Sequence, residues 1–345
     1  MKHTCRYQIG EKTQVNEARR DAQTLAIELG FNETASGRVA IIVTELGNNI
    51  LTHARKGEIL LRALKSEHPN PGIEILSLDS GPGIKNISEC MRDGYSTAGT
   101  AGTGLGAVRR MSHTFDLYSL EGKGTVVLSQ LWANLPVGNL YSGPFQAGVD
   151  YTPHPAEKIS GDVWLIECNP KRALVLIADG LGHGFKAAEA ANLAARVVCE
   201  KKDSSISEIV HDLHESLRST RGAALSIAEV DLTHKVVNFV GIGNVMGAVL
   251  TGSDQRRMVT MHGTVGHQIY KIQSFSYPWP TLGGVLIMHS DGLSTKCCDL
   301  EAYPGLILKN PGVIAGVLYR DFNRGNDDST LVVVREGNSK NKANE

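Results

Sequence analysis

A stretch rich in Gly, Pro, Asn and Tyr at residues 136–155 divides the chain into two segments whose hydrophobic patterns differ in kind. Before it, helix and strand periods alternate. Val15, Ala18, Ala22, Leu25, Ala26 and Leu29 recur on one helical face and stop at Gly30, so a helix is expected over 15–29. A second, more apolar helix is expected over 36–53. Strands are expected over 58–65 and 72–79, joined by the turn-rich 67–72, and over 114–120 and 124–132, paired around Glu121-Gly122-Lys123. The glycine-rich 99–106 leads into a short helix ending near Ser112. Helices followed by a meander of strands point to an α+β layer and away from a doubly wound sheet.

After the divide, strands dominate: 162–168, 172–178, 223–231, 235–240, 245–250, 256–261, 284–289 and 328–335. Helices are expected at 184–200, 206–219 and 311–322, which together suggest a β-sandwich covered by helices. The chain of 345 residues has room for two domains at about 150 residues each, with cores that need no staples. The expected organisation is a first domain over 1–135, a linker and first strand over 136–155, a second domain over 146–336 and a frayed tail over 337–345.

Charge narrows the partners. The 35 basic and 36 acidic residues leave a net charge of −1, and neither half is a polyelectrolyte. That excludes a broad basic face for nucleic acid and a disordered acidic tail. The first ten residues lack an apolar signal core, and the most apolar stretch, 236–250, is too short and too interrupted to span a bilayer. No membrane association is expected. The six cysteines include no C-x-x-C pair and read as reduced thiols in a cytoplasmic protein. Glycine, at 37 residues, is well above the roughly 7% of average chains. Such a surplus prompts a search for loops that approach phosphate or metal closely.

Four elements of the first segment carry chemistry. Glu45 and Asn49 lie four apart, which places a carboxylate and a carboxamide on one helix face. Asp79 ends an apolar strand in Leu78-Asp79-Ser80-Gly81-Pro82-Gly83-Ile84. Gly102-Thr103-Gly104-Leu105-Gly106 opens a helix whose first N–H groups could cradle phosphates. Gly124-Thr125 heads the last strand. Each alone is an ordinary edge or turn, and no P-loop pattern occurs. Their order resembles the GHKL (Bergerat-fold) ATPases over about residues 5–133, which implies a Bergerat-type α/β sandwich binding ATP and Mg²⁺. The resemblance implies that Asn49 helps coordinate Mg²⁺, Asp79 bonds the adenine amino group, and Gly81 and Gly83 let backbone approach the base. Gly102, Gly104 and Gly106 would cover the phosphates, Thr125 would support the adenine site, and Glu45 would be the general base. Residues 45–54, with Asp93-Gly94-Tyr95-Ser96-Thr97, look most like the anti-sigma-factor serine kinases of the RsbT-like branch.

The second segment carries acids at strand ends: Asp162 in Ser160-Gly161-Asp162, Asp179 in Ala178-Asp179-Gly180, Asp291 in Ser290-Asp291-Gly292, and the pair Asp327-Asp328. One Asp-Gly after a strand is as easily a turn. Four such positions converging from neighbouring strands make a hard-oxygen site for Mg²⁺ or Mn²⁺. The set resembles the PPM-type protein phosphatases of the SpoIIE/RsbX-like branch over about 146–335. That resemblance implies a PPM-type β-sandwich flanked by helices. It also implies a two-metal site in which Asp179 bridges the ions, Gly180 lends its carbonyl, and Asp162, Asp291, Asp327 and Asp328 complete the cage. His183 is either an acid or a structural residue of its glycine turn. Where many relatives have Ala-Gly-His-Pro, this chain has Gly241-Ile242-Gly243-Asn244, which puts a substrate-contact role for that loop in doubt.

Together the resemblances imply a bacterial partner-switching regulator. A Ser/Thr phosphatase would be joined to a serine kinase-like ATP site and would act on an STAS-domain antagonist protein, with a sigma factor or other regulator as a possible further partner. The alternative is a phosphatase regulated by a first domain that holds ATP and a partner without transferring phosphate.

Overall fold

The computed structural model describes residues 4–64, 71–91, 104–133, 144–252, 254–281 and 283–337. The chain forms two compact units, Met1–Ser142 and Gly143–Glu345. In the first, the order is β1 (Thr4–Ile9), α1 (Lys12–Glu28), α2 (Glu33–Asn49), β2 (Gly57–Leu64), β3 (Gly72–Asp79), α3 (Ile87–Cys90), α4 (Gly104–Met111), β4 (Thr114–Leu120) and β5 (Gly124–Trp132). The strands form one antiparallel sheet in the order β1-β2-β3-β5-β4.

Strand alternation decides which face of this sheet meets the helices. Ile59 and Leu61 of β2, Ile73 and Ile75 of β3, and Val127 and Leu131 of β5 pack with the buried stripe of α1 (Val15, Ala18, Ala22, Ala26) and with Val39, Ile42, Val43 and Leu46 of α2. On the opposite face Arg62, Glu74 and Gln130 sit in register across β2, β3 and β5. Arg62 Nη1 lies 3.1 Å from Glu74 Oε1, and Gln130 Nε2 donates to Glu74 Oε2 at 2.8 Å, so three buried polar groups pair across the strands.

Three sequence expectations change here. The helix expected over 36–53 starts at Glu33, where Asn32 caps it by accepting from the Ala35 N–H at 2.8 Å. It then ends as an α-helix at Asn49 and continues as one π-turn over Ile50–Ala54. Strand β1, on the sheet edge, was not foreseen in the polar first ten residues. The expected turn 67–72 falls mostly outside the described residues.

The second unit runs β6 (Phe145–Thr152), β7 (Asp162–Cys168), β8 (Arg172–Gly180), α5 (Phe185–Glu200), α6 (Ile206–Ser216), β9 (Ala223–Asp231), β10 (Val236–Ile242), β11 (Met246–Thr251) and β12 (Asp254–Arg257). It continues with β13 (Thr260–Met261), β14 (Gly263–Thr264), β15 (Gln268–Ile269), β16 (Phe275–Pro278), β17 (Val285–His289), α7 (Pro311–Phe322) and β18 (Ser329–Glu336). One large sheet has the order β13-β10-β9-β8-β7, with β16 also on β10; the second is β12-β11-β17-β18-β6, and β14 pairs with β15 separately. Val175 and Ile177 of β8 face the inter-sheet core with Phe239, Leu286, Met288, Val332 and Val334. Leu174, Leu176 and Ala178 face the other way, against Ala190, Ala191 and Ala194 of α5 and Ile209 and Leu213 of α6. A strand covered on both faces reads as a continuous apolar run, which is why β8 shows no alternation in sequence.

The strand expected over 256–261 is two strands. Met258 is buried in the inter-sheet core and its N–H bonds the Gly247 carbonyl at 2.8 Å. The chain crosses there from one sheet to the other, so β12 pairs with β11 while β13 runs parallel to β10. The end of the helix expected over 206–219 tightens into a 3₁₀ turn at Leu217–Ser219. Residues 136–143 of the expected linker and 338–345 of the tail lie outside the described residues.

Candidate functional sites

In the first unit, a cavity of about 760 Å³ opens beside α2, the end of β3 and the start of β5. Glu45, Asn49, Asp79, Gly83, Gly104 and Thr125 all line it. The helix supplies the first two from one face, and the π-turn at Ile50–Ala54 directs Leu51, Thr52 and His53 to the same wall. Lys12 and Lys85 also reach the lining, and their ammonium groups add positive charge that suits a polyphosphate.

Asp79 is held at the end of β3 by backbone donors. Its Oδ1 accepts from the Gly81 N–H at 2.8 Å and from the Thr125 N–H at 3.3 Å. The Thr125 hydroxyl is 2.9 Å from the Ser119 hydroxyl, which also accepts from the Ile84 N–H at 2.8 Å. Gly81 therefore acts through Asp79 and is not part of the cavity wall. Gly106 is buried within α4 and is not on the wall either. Gly102 and residues 93–97 lie outside the described residues.

Gly124 has φ +96°, and a Cβ there would stand 2.0 Å from the Asp79 carbonyl oxygen. Both the backbone sign and the close approach demand glycine. Gly124→Ala is expected to destabilise this unit by roughly 3 kcal/mol, the class of loss seen when strain and a backbone clash combine. Thermal melting should show its transition moving down, and an unchanged transition would refute the close approach.

In the second unit, the acids come from both sheets. Asp162 opens β7 and Asp179 nears the end of β8, and the two are register partners. Asp291 follows β17, and Asp327 and Asp328 precede β18, which pairs with β17 in the other sheet. The sheets are tied at this end by Ser290, fully buried, whose hydroxyl donates to Asp162 Oδ2 at 2.6 Å and accepts from the Thr330 N–H at 2.9 Å. Asn244 Nδ2 donates to Asp291 Oδ2 at 2.6 Å. The His154 N–H donates to Asp328 Oδ1 at 2.8 Å. Asp327 Oδ1 accepts from the Asp328 N–H at 2.8 Å, so the two adjacent acids are fixed by different partners.

The carboxylates feel one another. Burial first, and then the charges of Asp162, Asp291, Asp327 and Asp328, push Asp179 up to about 9. Burial pushes Asp162 up to about 7 against the hydrogen bond from Ser290, with Asp328 and Asp291 adding to the rise. Asp291 is raised by burial and Asp327, and is pulled back by Asn244. Asp162 Oδ1 is a buried oxygen with no hydrogen-bond partner. A buried, unsatisfied carboxylate oxygen amid repelling carboxylates fits a hard divalent cation, which would supply both the missing partner and the missing charge. Among the described residues no three His, Cys, Asp or Glu side chains are grouped to hold an ion by themselves. That is compatible with Mg²⁺ or Mn²⁺ held through one or two carboxylates, a backbone carbonyl and water. Gly180 follows Asp179 at the end of β8, and a Cβ there would stand 2.0 Å from the Ala187 carbonyl oxygen.

His183 is engaged otherwise: its Nδ1 lies 2.8 Å from Glu157 Oε1, and its ring stacks on His154 with centroids 4.5 Å apart. Ser290, Asn244, His154 and Glu157 were not singled out as site residues in the sequence. Ser290 and Asn244 stand in motifs that were read for other members, and only the tertiary fold shows whom they hold. Asn244→Ala is expected to weaken Mn²⁺ binding by about tenfold to a hundredfold, as loss of an orienting partner does at other metal sites. Titration calorimetry would check this, and unchanged affinity would refute the orienting role.

Comparison with known proteins places both units. Residues 10–130 match the histidine kinase-like ATPase domain. The serine/threonine-protein kinase RsbT of Bacillus subtilis is 36% identical over 115 residues, 33% of this chain and 86% of that protein. The chain belongs to the RsbT-like ATPase family. Joined to its RsbT-like domain, residues 169–336 match the stage II sporulation protein E family. The phosphoserine phosphatase RsbX of Bacillus subtilis is 23% identical over 141 residues, 40% of this chain and 69% of that protein. A structure described under "The bacterial stressosome: a modular system that has been adapted to control secondary messenger signaling" shares the fold over 55% of this chain and 99% of its own, with a TM-score of 0.51 at 22% identity. An RsbT-like domain fused to a SpoIIE-type domain is the architecture of a partner-switching regulator.

Proposed function

We propose that the SpoIIE-type domain is a metal-dependent protein phosphatase that hydrolyses phosphoserine or phosphothreonine on an STAS-type antagonist protein. The RsbT-like domain, in this reading, binds ATP with Mg²⁺ and acts as a serine kinase on the same class of partner. The observation that carries the phosphatase is geometric: Asp162 and Asp179 are register partners at the end of one sheet, Asp291, Asp327 and Asp328 stand at the end of the other, and the Ser290–Asp162 hydrogen bond ties the two ends. The RsbX relative supports phosphoserine as the substrate.

When bound, divalent ions supply an activated hydroxide and neutralise phosphoryl charge. Asp179 and Asp162 would hold them from one sheet, with the Gly180 carbonyl beside them. Asp291, Asp327 and Asp328 would hold them from the other. Ser290 fixes the Asp162 rotamer and Asn244 that of Asp291, so the ligands are set before substrate arrives. No side chain is required as a covalent nucleophile. In the first domain, Asn49 would hold Mg²⁺, Asp79 would accept from the adenine amino group, and Glu45 would take the proton of the attacking hydroxyl. Among the described residues no helix is long and apolar enough to cross a membrane, and we place the protein in the cytoplasm on its composition.

The second reading keeps the phosphatase but makes the RsbT-like domain a non-catalytic holder of ATP and a protein partner. Incubating the chain with γ-labelled ATP and an STAS-domain protein separates the two. Label on a serine of that protein supports the kinase. ATP binding without any transfer supports the holder.

A further inference from the structure

Three large apolar side chains stand exposed around the carboxylate cluster. Ile159 precedes Gly161 by two positions, Leu181 lies between Gly180 and Gly182, and Phe185 opens α5; they are 48%, 49% and 69% exposed. Their backbones meet at one point. A Cβ at Gly161 would stand 2.9 Å from the Ala187 Cβ, 2.9 Å from Asp328 Oδ2 and 3.4 Å from the Gly182 carbonyl oxygen. The loop before β7, the loop after β8, the first turn of α5 and the Asp327–Asp328 loop are therefore neighbours. The carboxylates lie where these four segments join, and the apolar side chains project from three of them.

None of these side chains can bind a cation or move a proton. Exposed apolar groups scattered singly need no explanation, but three on segments that join at one polar site call for one. We infer that Ile159, Leu181 and Phe185 form an apolar docking rim for a folded phosphoprotein, which seats a nonpolar patch of its surface there while its phosphorylated side chain reaches the carboxylates. The inference rests on the phosphatase reading above. Position selects the occupant: whatever delivers a phosphoryl group to Asp179 passes this rim, and a second copy seated on the rim would obstruct that delivery. Aromatic residues such as Phe185 are also enriched where proteins meet.

The test compares wild type with Ile159→Ser/Phe185→Ser on two substrates in Mn²⁺. One is p-nitrophenyl phosphate, too small to reach the rim. The other is a serine-phosphorylated STAS-domain protein. Turnover of p-nitrophenyl phosphate is expected to be unchanged, while kcat/KM for the phosphoprotein falls at least about tenfold, mostly through KM. Equal losses on both substrates would overturn the rim, because the substitutions would then be disturbing the carboxylates. Undiminished phosphoprotein turnover would overturn it as well. So would a wild-type dimer that the variant converts to monomer by light scattering, which would make the rim a contact between copies. If wild type turns over neither substrate, the phosphatase reading itself fails and the rim with it, an outcome distinct from the other three.

Discussion

On the proposed two-metal reading, Asp179→Asn is expected to remove phosphatase activity, by at least about a thousandfold in kcat, and at the same time to raise the stability of the metal-free protein. The two effects have one cause. Asp179 is buried among four other acids, and its pKa stands at about 9 instead of the usual carboxylate value of 3.8. The native state therefore holds a proton that the unfolded chain releases near pH 4. Stability from this group is fully present below the unfolded value, declines as pH rises through the folded value, and is gone above about pH 9. Asp162, raised to about 7, adds a loss of the same sign lower in the range. The metal-free wild type should thus melt at lower temperature at pH 8.5 than at pH 6, and Asp179→Asn should flatten that slope. Bound Mn²⁺ replaces the proton, so its stabilisation of wild type should grow with pH over the same interval. A variant that loses activity and stability together would point to misfolding, and one that keeps activity would remove Asp179 from the metal site.

Glu45→Gln and Asp79→Ala should divide the functions of the RsbT-like domain. Glu45 lines the same cavity as Asn49, one helical turn away. Replacing its carboxylate with an amide keeps the shape but removes the proposed base. Nucleotide affinity should stay within about twofold, while phosphate transfer to an STAS-domain protein falls by about a hundredfold or more, the usual scale for a positioned general base. Asp79 differs, because Gly81 and Thr125 N–H groups hold its carboxylate in place. Asp79→Ala strands those donors and removes the proposed acceptor for adenine, so ATP affinity should fall at least about tenfold. Fluorescence titration with a labelled nucleotide reads binding, and γ-phosphate transfer reads chemistry. Weakened binding in Glu45→Gln with normal transfer per bound nucleotide would contradict the assigned roles.

How much of this was legible in the sequence follows from the range of the interactions involved. Asp162, Asp179, Asp291 and the Asp327-Asp328 pair could be picked out because each flanks an apolar run, a local signal. The face of α1 was legible because Val15, Ala18, Ala22 and Ala26 recur at helical spacing. Asn244 could not be assigned, since its partner Asp291 is brought to it only by the pairing of β11 with β17. Ser290 and Asp162 lie on different sheets and meet only when the sandwich closes. The π-turn after Asn49 and the crossing at Met258 were hidden for a related reason. Apolar residues continue through both, so the hydrophobic pattern does not register the change in backbone path. The exposed Phe185 is the converse: a residue that pattern alone would bury stands at the surface.

The most direct measurement is release of inorganic phosphate from a serine-phosphorylated STAS-domain protein by the wild-type chain. It would be made with Mn²⁺, after chelation and after Mn²⁺ is restored. A carboxylate site that works through divalent ions predicts release with Mn²⁺, none in chelator, and recovery on restoration. Release that persists in excess chelator, or no release with Mn²⁺ present, would contradict it.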